Sequence, residues 1–397
     1  VNRPNVQRAA LAALALMALV SLGVAATNAL GTAGSKDFQY SGAHYLASGI
    51  DPYAVWNTTH KGVLLAQVPN YLPALYFLLL PIGALTWPVA KAVWLACNLG
   101  FAGFIAWRLW RQPARHGQPG PTAQAGVWMA LLFLSSAPVR NTINNGQMGL
   151  LILTATIWAF SARSNLLRGM LIALALTKYS LGAVFAALFV ARRQWIVVAV
   201  AGAVTLAAYG LLAAITGSPF NLALLLAPLE TARGGVLLDM PFSGLVALAG
   251  SAAPLIVSAI TLAAVMIWAW RRAAPRLLDL RAAAVAATEP GQLPRMVLVA
   301  SLATLGGMPH LNYDFVFLAL PFMLGNPFAL VGRAGRMAYA VVLAWHWNAL
   351  KLVPPGNLPL KDVATLVMTG LMLFVAVDAA RRGGVGGGEA GEDRPGA

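Results

Sequence analysis

Asp37 stands in the stretch Lys36-Asp37-Phe38-Gln39-Tyr40, directly after the first long apolar run, and is one of only 12 acidic residues among 397. A carboxylate at the edge of an apolar span can take the proton of an incoming hydroxyl. Burial against Phe38 and Tyr40 would raise its pKa and make it a better base. Capping of a short helix over 38–48 is the other use for such a residue, and the two are compatible. Asp37 is therefore the first candidate for a general base. It heads a polar and aromatic segment that runs through His44, Asp51, Tyr53, Trp56 and His60 to Tyr71.

Four further groups could act beside it. Arg140 precedes the polar turn Asn141…Asn144-Asn145-Gly146-Gln147 and, with Arg233, offers a guanidinium that can pair with an anion in two bonds. The other use of either arginine is a lipid headgroup or a local ion pair. Lys178 interrupts the apolar stretch 169–191 within Thr177-Lys178-Tyr179-Ser180, as a functional cation or as a snorkelling side chain. Gly49-Ile50-Asp51-Pro52-Tyr53 reads as a turn by its own chemistry, and Trp56 also fits an interfacial aromatic belt. His310 and Asn312 lie beside Asp314; His310 is a candidate proton carrier, and Asp314 is either an N-terminal helix residue or a second candidate base.

The elements that must hold these residues are set by composition. With 59% hydrophobic and 10% charged residues and a mean hydropathy of +0.72, the chain cannot be wrapped around one soluble core. It reads as an all-α, polytopic membrane protein of about 10–12 transmembrane helices with juxtamembrane or re-entrant helices. The formal charge of +15 comes from short arginine clusters between apolar spans and not from one basic face, which argues for positive-inside topology and against nucleic acid. Placing every cluster on the cytoplasmic side gives crossings near 9–30, 88–108, 126–140, 147–161, 195–216, 244–270, 295–309, 314–330, 337–351 and 362–380. The first is read as a retained signal-anchor helix.

Two stretches fit differently. Residues 72–86, with Pro73, Pro81 and Gly83, read as a short juxtamembrane or re-entrant helix on the outer side. Residues 169–191, with basic residues at both ends, read as two half-helices entering from the cytoplasm. Residues 1–382 form one membrane domain, 111–125 a flexible loop, and the glycine-rich 383–397 a disordered cytoplasmic tail. Cys97 is the only cysteine, so no intrachain disulfide forms. The acidic residues are too scattered for a cation cage, and metal-independent, cofactor-free chemistry is expected. Nearly all groups able to do acid-base work fall in the outer loops, so a donor must reach the site from within the membrane.

Taken in order, Asp37-Phe38-x-Tyr40-Ser41-x-Ala43, Gly49-Ile50-Asp51-Pro52-Tyr53, Tyr71-x-Pro73, Asn145-Gly146-Gln147-x-x-Leu150, Gly169…Thr177-Lys178 and Asn312-Tyr313-Asp314-x-x-x-x-Ala319-Leu320-Pro321 resemble glycosyltransferase family 87 over roughly residues 30–325. The chain departs from one common family pattern at Asn312, where a histidine precedes the tyrosine. The resemblance implies a GT-C membrane glycosyltransferase of the polyprenyl-phosphate-mannose-dependent kind, working with inversion in the bacterial inner membrane with its site facing the periplasm. Asp37, with His310 beside it, would do the acid-base work. Arg140, Gln147, Tyr40, Tyr53, Asn145, Asn312, Lys178 and Arg233 would bind substrate, Arg140 first for the lipid phosphate. The partners implied are a polyprenyl-phosphate sugar, a glycolipid or glycan acceptor and membrane lipids. A transporter or flippase of lipid-linked sugars is the rival class, and an oligosaccharide polymerase or ligase a third. The absence of a visible internal repeat weighs against transport.

Overall fold

The computed structural model describes residues 3–58, 65, 67–111, 123–233, 253–273, 292–308, 312–347 and 358–382. Their regular structure is helical, with no strand among them. Of the expected loop over 111–125, residues 112–122 lie outside the described residues, as does the tail over 383–397, and residues 123–125 are not loop but the first turn of a helix.

Helix α1 (Arg3–Leu30) is an apolar span with a thin buried stripe of Leu14, Ala18, Ser21, Ala25 and Ala29, a three-and-four spacing that faces α5 (Trp87–Trp110), α6 (Ala123–Ser135) and α7 (Ala137–Asn145). Between α1 and α5 come three short helices, α2 (Tyr40–Ala47), α3 (Pro52–Thr58) and α4 (Pro73–Gly83). The 11 residues of α4 cover only about 16 Å at 1.5 Å per residue, too short for a bilayer core of about 30 Å. It packs on α2 and on the long apolar α11 (Trp195–Thr216). By length and composition, Pro4–Leu30, Trp87–Trp110 and Trp195–Thr216 can each cross a membrane.

Helices α8 (Gly149–Ser161), α9 (Asn165–Leu176) and α10 (Tyr179–Ala191) form the centre. The expected break in 169–191 is present: Lys178 adopts φ −102°, ψ 79°, outside the helical region, and α9 and α10 pack on each other. Backbone exposed by a break in an apolar setting must be satisfied by protein. Thr177 returns its hydroxyl to the Leu174 carbonyl at 2.7 Å, and its own carbonyl accepts the Leu72 amide at 3.0 Å. Gly182 lies where any Cβ would run into the Ala175 carbonyl, so the hairpin closes only on glycine.

The chain continues through α12 (Leu222–Arg233), α13 (Ala253–Ala273) and α14 (Gln292–Gly307), the last buried from Met296 onward. The crossing foreseen at 314–330 is not a continuous α-helix but a 3-10 segment, Asn312–Ala319, followed by α15 (Leu320–Leu324) and a second 3-10 turn, Pro327–Leu330. Pro321 removes an amide donor, and Gly325 and Asn326-Pro327 end the helix. The first 3-10 segment packs against α7, α8 and α14, and every one of its residues from Tyr313 to Ala319 is buried. Two helices, α16 (Arg333–His346) and α17 (Leu358–Arg382), complete the fold, α17 lying along α14.

Candidate active site

Asp37 is presented by a loop whose backbone is tied at every step. Ser35 sits at φ 56°, donates its amide to the Asn144 carbonyl at 2.9 Å, and its hydroxyl bonds the Ala29 carbonyl at 3.0 Å. The Asp37 amide donates to the Asn145 carbonyl at 2.9 Å. Asp37 does not cap α2: the N-cap position is Gln39, without a side-chain capping bond. The side chain is thus left for other work.

The partner loop is the C-terminus of α7. Ser136 caps its start by accepting the Val139 amide, and Gly146 ends it in the left-handed region at φ 67°. The Gln147 amide bonds the Thr142 carbonyl at 2.9 Å and the Gly146 amide bonds Ile143 at 3.1 Å, a Schellman closure. A Cβ on residue 146 would also lie 2.8 Å from the Phe38 Cβ. Glycine is required here both for the turn and for the approach of the Asp37 loop, and the turn delivers Gln147 to Asp37.

Gln147 is the centre of a buried hydrogen-bond network. Its Oε1 accepts from the Tyr71 hydroxyl at 3.1 Å, its Nε2 donates to the Tyr313 hydroxyl at 2.7 Å, and the side chain also bonds Asp37. An ionised carboxylate only accepts, so the nitrogen end of the amide must face Asp37, which sets its orientation. Beside this network Lys178 Nζ contacts Asp314 Oδ1 at 2.5 Å and lies 4.9 Å from the centre of the Tyr313 ring. Asp314 is wholly buried, whereas Asp37 is half-buried. The α9–α10 break, the 3-10 segment, the α7 turn and the loop after α1 therefore meet at one point.

The electrostatics separate the two carboxylates. Burial pushes the Asp37 carboxyl above the usual aspartate range; the Gln147 hydrogen bond and the charges of Lys36 and Lys178 pull it back, and Asp314 adds to the rise. Asp314 is already spoken for by an ammonium. Burial, with the Asp314 and Asp37 carboxylates, also drives the Tyr71 phenol well above its ordinary range, so it stays a neutral donor. A half-buried carboxylate of raised basicity beside a fixed cation and neutral donors can accept a proton from a hydroxyl while negative charge develops nearby.

The other expected residues are placed as follows. Asn145 contributes its carbonyl to Asp37, as described. Arg140 is half-buried on α7, off the face formed by Pro138, Val139, Thr142 and Ile143. Tyr40 is buried, its ring stacks with His44, and its hydroxyl donates to the Leu85 carbonyl at 2.7 Å. Tyr53 is 1% exposed, and its hydroxyl donates to the Tyr71 carbonyl at 2.6 Å. Asp51 makes the turn its sequence suggests, accepting the Tyr53 amide at 2.9 Å and the Ser218 hydroxyl at 2.8 Å. His310 lies outside the described residues, as do the side chains of Asn312 and Arg233. Among the described residues no three histidine, cysteine, aspartate or glutamate side chains gather as metal ligands.

Sequence reasoning had assigned no role to Tyr71, Tyr313 or Gln67. Gln67 accepts the Ser41 amide at 2.9 Å and donates to the Ser35 carbonyl at 3.4 Å, spanning both sides of Asp37. Tyr71 and Tyr313 were visible only as members of ordered motifs; nothing local marks Gln67, because both its partners are backbone groups far away in sequence.

No curated protein and no solved structure matches the chain. Residues 70–301, more than half of its length, match the family model for glycosyltransferase family 87, a stretch that contains Tyr71, Gln147 and Lys178. Asp37 and Tyr313-Asp314 flank that stretch and are brought to it by the fold. The chain belongs to glycosyltransferase family 87 and is a membrane glycosyltransferase.

Proposed function

We propose that the protein transfers a hexose, mannose first among the candidates, from a polyprenyl-phosphate carrier to a glycolipid or glycan acceptor, with inversion, at the periplasmic side of a bacterial inner membrane. Asp37 takes the proton of the acceptor hydroxyl as that oxygen bonds the anomeric carbon. The bond from that carbon to the carrier phosphate breaks on the opposite side, and the phosphate leaves with the electron pair. Arg140 binds the carrier phosphate. The observation that carries the reading is the meeting of Asp37 with Gln147, Tyr313 and the Lys178–Asp314 pair at the common end of three short helices.

Helix length supports a recessed site reached from the bilayer. The 13, 12 and 13 residues of α8, α9 and α10 cover only about 18–20 Å, against about 30 Å of hydrocarbon. With their arginine-flanked ends, Arg163, Arg168, Arg192 and Arg193, at the cytoplasmic surface, their opposite ends stop about 10 Å short of the outer edge. A carrier lipid would then present its phosphate at this depth without leaving the membrane.

The test uses purified protein in detergent with polyprenyl-phosphate-[14C]mannose and a total bacterial lipid extract as acceptor. Label passing into a new glycolipid supports the transferase; a flippase forms no such bond, since detergent leaves no second compartment. Asp37→Asn should lose turnover by about 10²- to 10⁴-fold, the usual worth of a positioned base. A folded Asp37→Asn protein with wild-type turnover sinks the assignment. Arg140→Ala should raise the KM for the lipid donor, and unchanged donor kinetics would count against its phosphate role.

A further inference from the structure

Lys91 is a buried ammonium that the reaction as written does not use. It lies in the second turn of α5, is 7% exposed, and among the described residues has no carboxylate within ion-pair distance. Its Nζ instead donates to the Leu30 carbonyl at 2.9 Å and the Gly31 carbonyl at 2.8 Å, and sits 5.3 Å from the centre of the Trp87 ring. A cation removed from water needs compensation. The compensation here is the negative end of the 28-residue α1, where the last carbonyls have no partner within the helix.

Those carbonyls are accounted for one by one. Thr27 and Asn28 accept the Gly31 amide, Ala29 accepts the Ser35 hydroxyl, Gly31 accepts the Gly34 amide, and Leu30 and Gly31 accept Lys91. Only the last two bonds come from another span. One turn along α5, Trp94 stacks flat on Phe38, with centroids 5.1 Å apart, and donates its Nε1 to the Gly146 carbonyl at 2.8 Å. One face of α5 therefore grips the end of α1 before Asp37, the residue after Asp37, and the turn that carries Gln147. α1 packs through one thin stripe of mostly small residues, with 17% of its apolar window buried, so the bonds from Lys91 add a directional tie at its C-terminus to the packing against α5, α6 and α7.

We propose that Lys91 is a positioning residue: by locking the C-terminus of α1 to α5, it holds the Asp37 carboxylate in register with Gln147. This rests on the reading of Asp37 as the base. The geometry requires a long cationic donor at residue 91 that reaches two adjacent carbonyls. Methionine keeps the stem and loses the bonds, whereas arginine keeps both charge and reach.

The experiment compares wild type, Lys91→Met, Lys91→Arg and Asp37→Asn of the full chain in nanodiscs, using polyprenyl-phosphate-[14C]mannose turnover, thermal unfolding and amide hydrogen exchange. Lys91→Met should lower kcat by at least tenfold with donor KM within twofold at temperatures well below its unfolding midpoint, while Tm falls modestly because the Leu30 carbonyl loses its donor. Exchange at residues 31–40 should rise at least tenfold, since the Ser35 and Asp37 amides lose their register with the Asn144 and Asn145 carbonyls. Lys91→Arg should recover kcat to within about threefold of wild type and restore protection. Unchanged exchange over 31–40, or a kcat loss in Lys91→Met that Lys91→Arg does not rescue, overturns the proposal. The exchange arm reads the clamp whether or not turnover is measurable. Active Asp37→Asn protein would instead overturn the assignment of the base, so the two failures are distinct.

Discussion

As the proposed base, Asp37 has to be two things at once, sheltered enough for its basicity to rise and open enough to meet a hydroxyl, and its half-burial against Gln147 is compatible with both demands. The direction of its pKa has a consequence for stability. The carboxyl binds its proton more tightly folded than unfolded, where it titrates near 3.8, so its contribution is fully present below that pH and is lost as pH rises through the higher folded value. Asp37→Asn should therefore unfold at the same or a higher temperature than wild type at pH 7, the reverse of its effect on turnover, as differential scanning fluorimetry can check. The acid limb of the kcat profile should lie above the ordinary aspartate range. Gln147→Leu removes the hydrogen bond that favours the anion, so that limb should move further up; a limb that stays put would separate Gln147 from Asp37.

Single elements explain why the site has the parts it has. The α7 turn needs glycine at 146 because the backbone is left-handed and Phe38 approaches closely. Gly146→Ala should cost about 1–2 kcal/mol from the backbone alone and more from the contact, with kcat falling as Gln147 is displaced. Wild-type Tm and kcat together would disprove the need. The α9–α10 break was readable from Thr177-Lys178-Tyr179-Ser180 because a lysine and two hydroxyl residues interrupt an apolar run. The 3-10 segment was not, since its composition suits an α-helix and only burial against α7, α8 and α14 selects the tighter winding. The surroundings of Tyr40 and Tyr53 are hidden from the sequence for a related reason. The acceptors of their hydroxyls, the Leu85 and Tyr71 carbonyls, lie on segments that no local pattern connects to them.

Across the whole molecule, the Lys178–Asp314 pair joins the helical hairpin to the 3-10 segment 136 residues away in the chain. Removing one member of a buried pair leaves the other charge without compensation, at a typical cost of about 3–5 kcal/mol. Lys178→Met and Asp314→Leu should each destabilise strongly, while the double variant recovers most of the loss without recovering activity; additive losses would show that the two do not act as a unit. Membrane class, the all-helical architecture and the hairpin break at Lys178 were determined by the amino-acid sequence alone, because apolar periodicity, charge placement and interruptions of an apolar run are local properties. Only the tertiary structure decided that Gln67, Tyr71 and Tyr313 surround Asp37, that Asp314 is committed to Lys178, and that Lys91 ends α1. Those facts depend on which distant backbone and side-chain groups must satisfy one another once water is excluded, and no local pattern encodes that pairing.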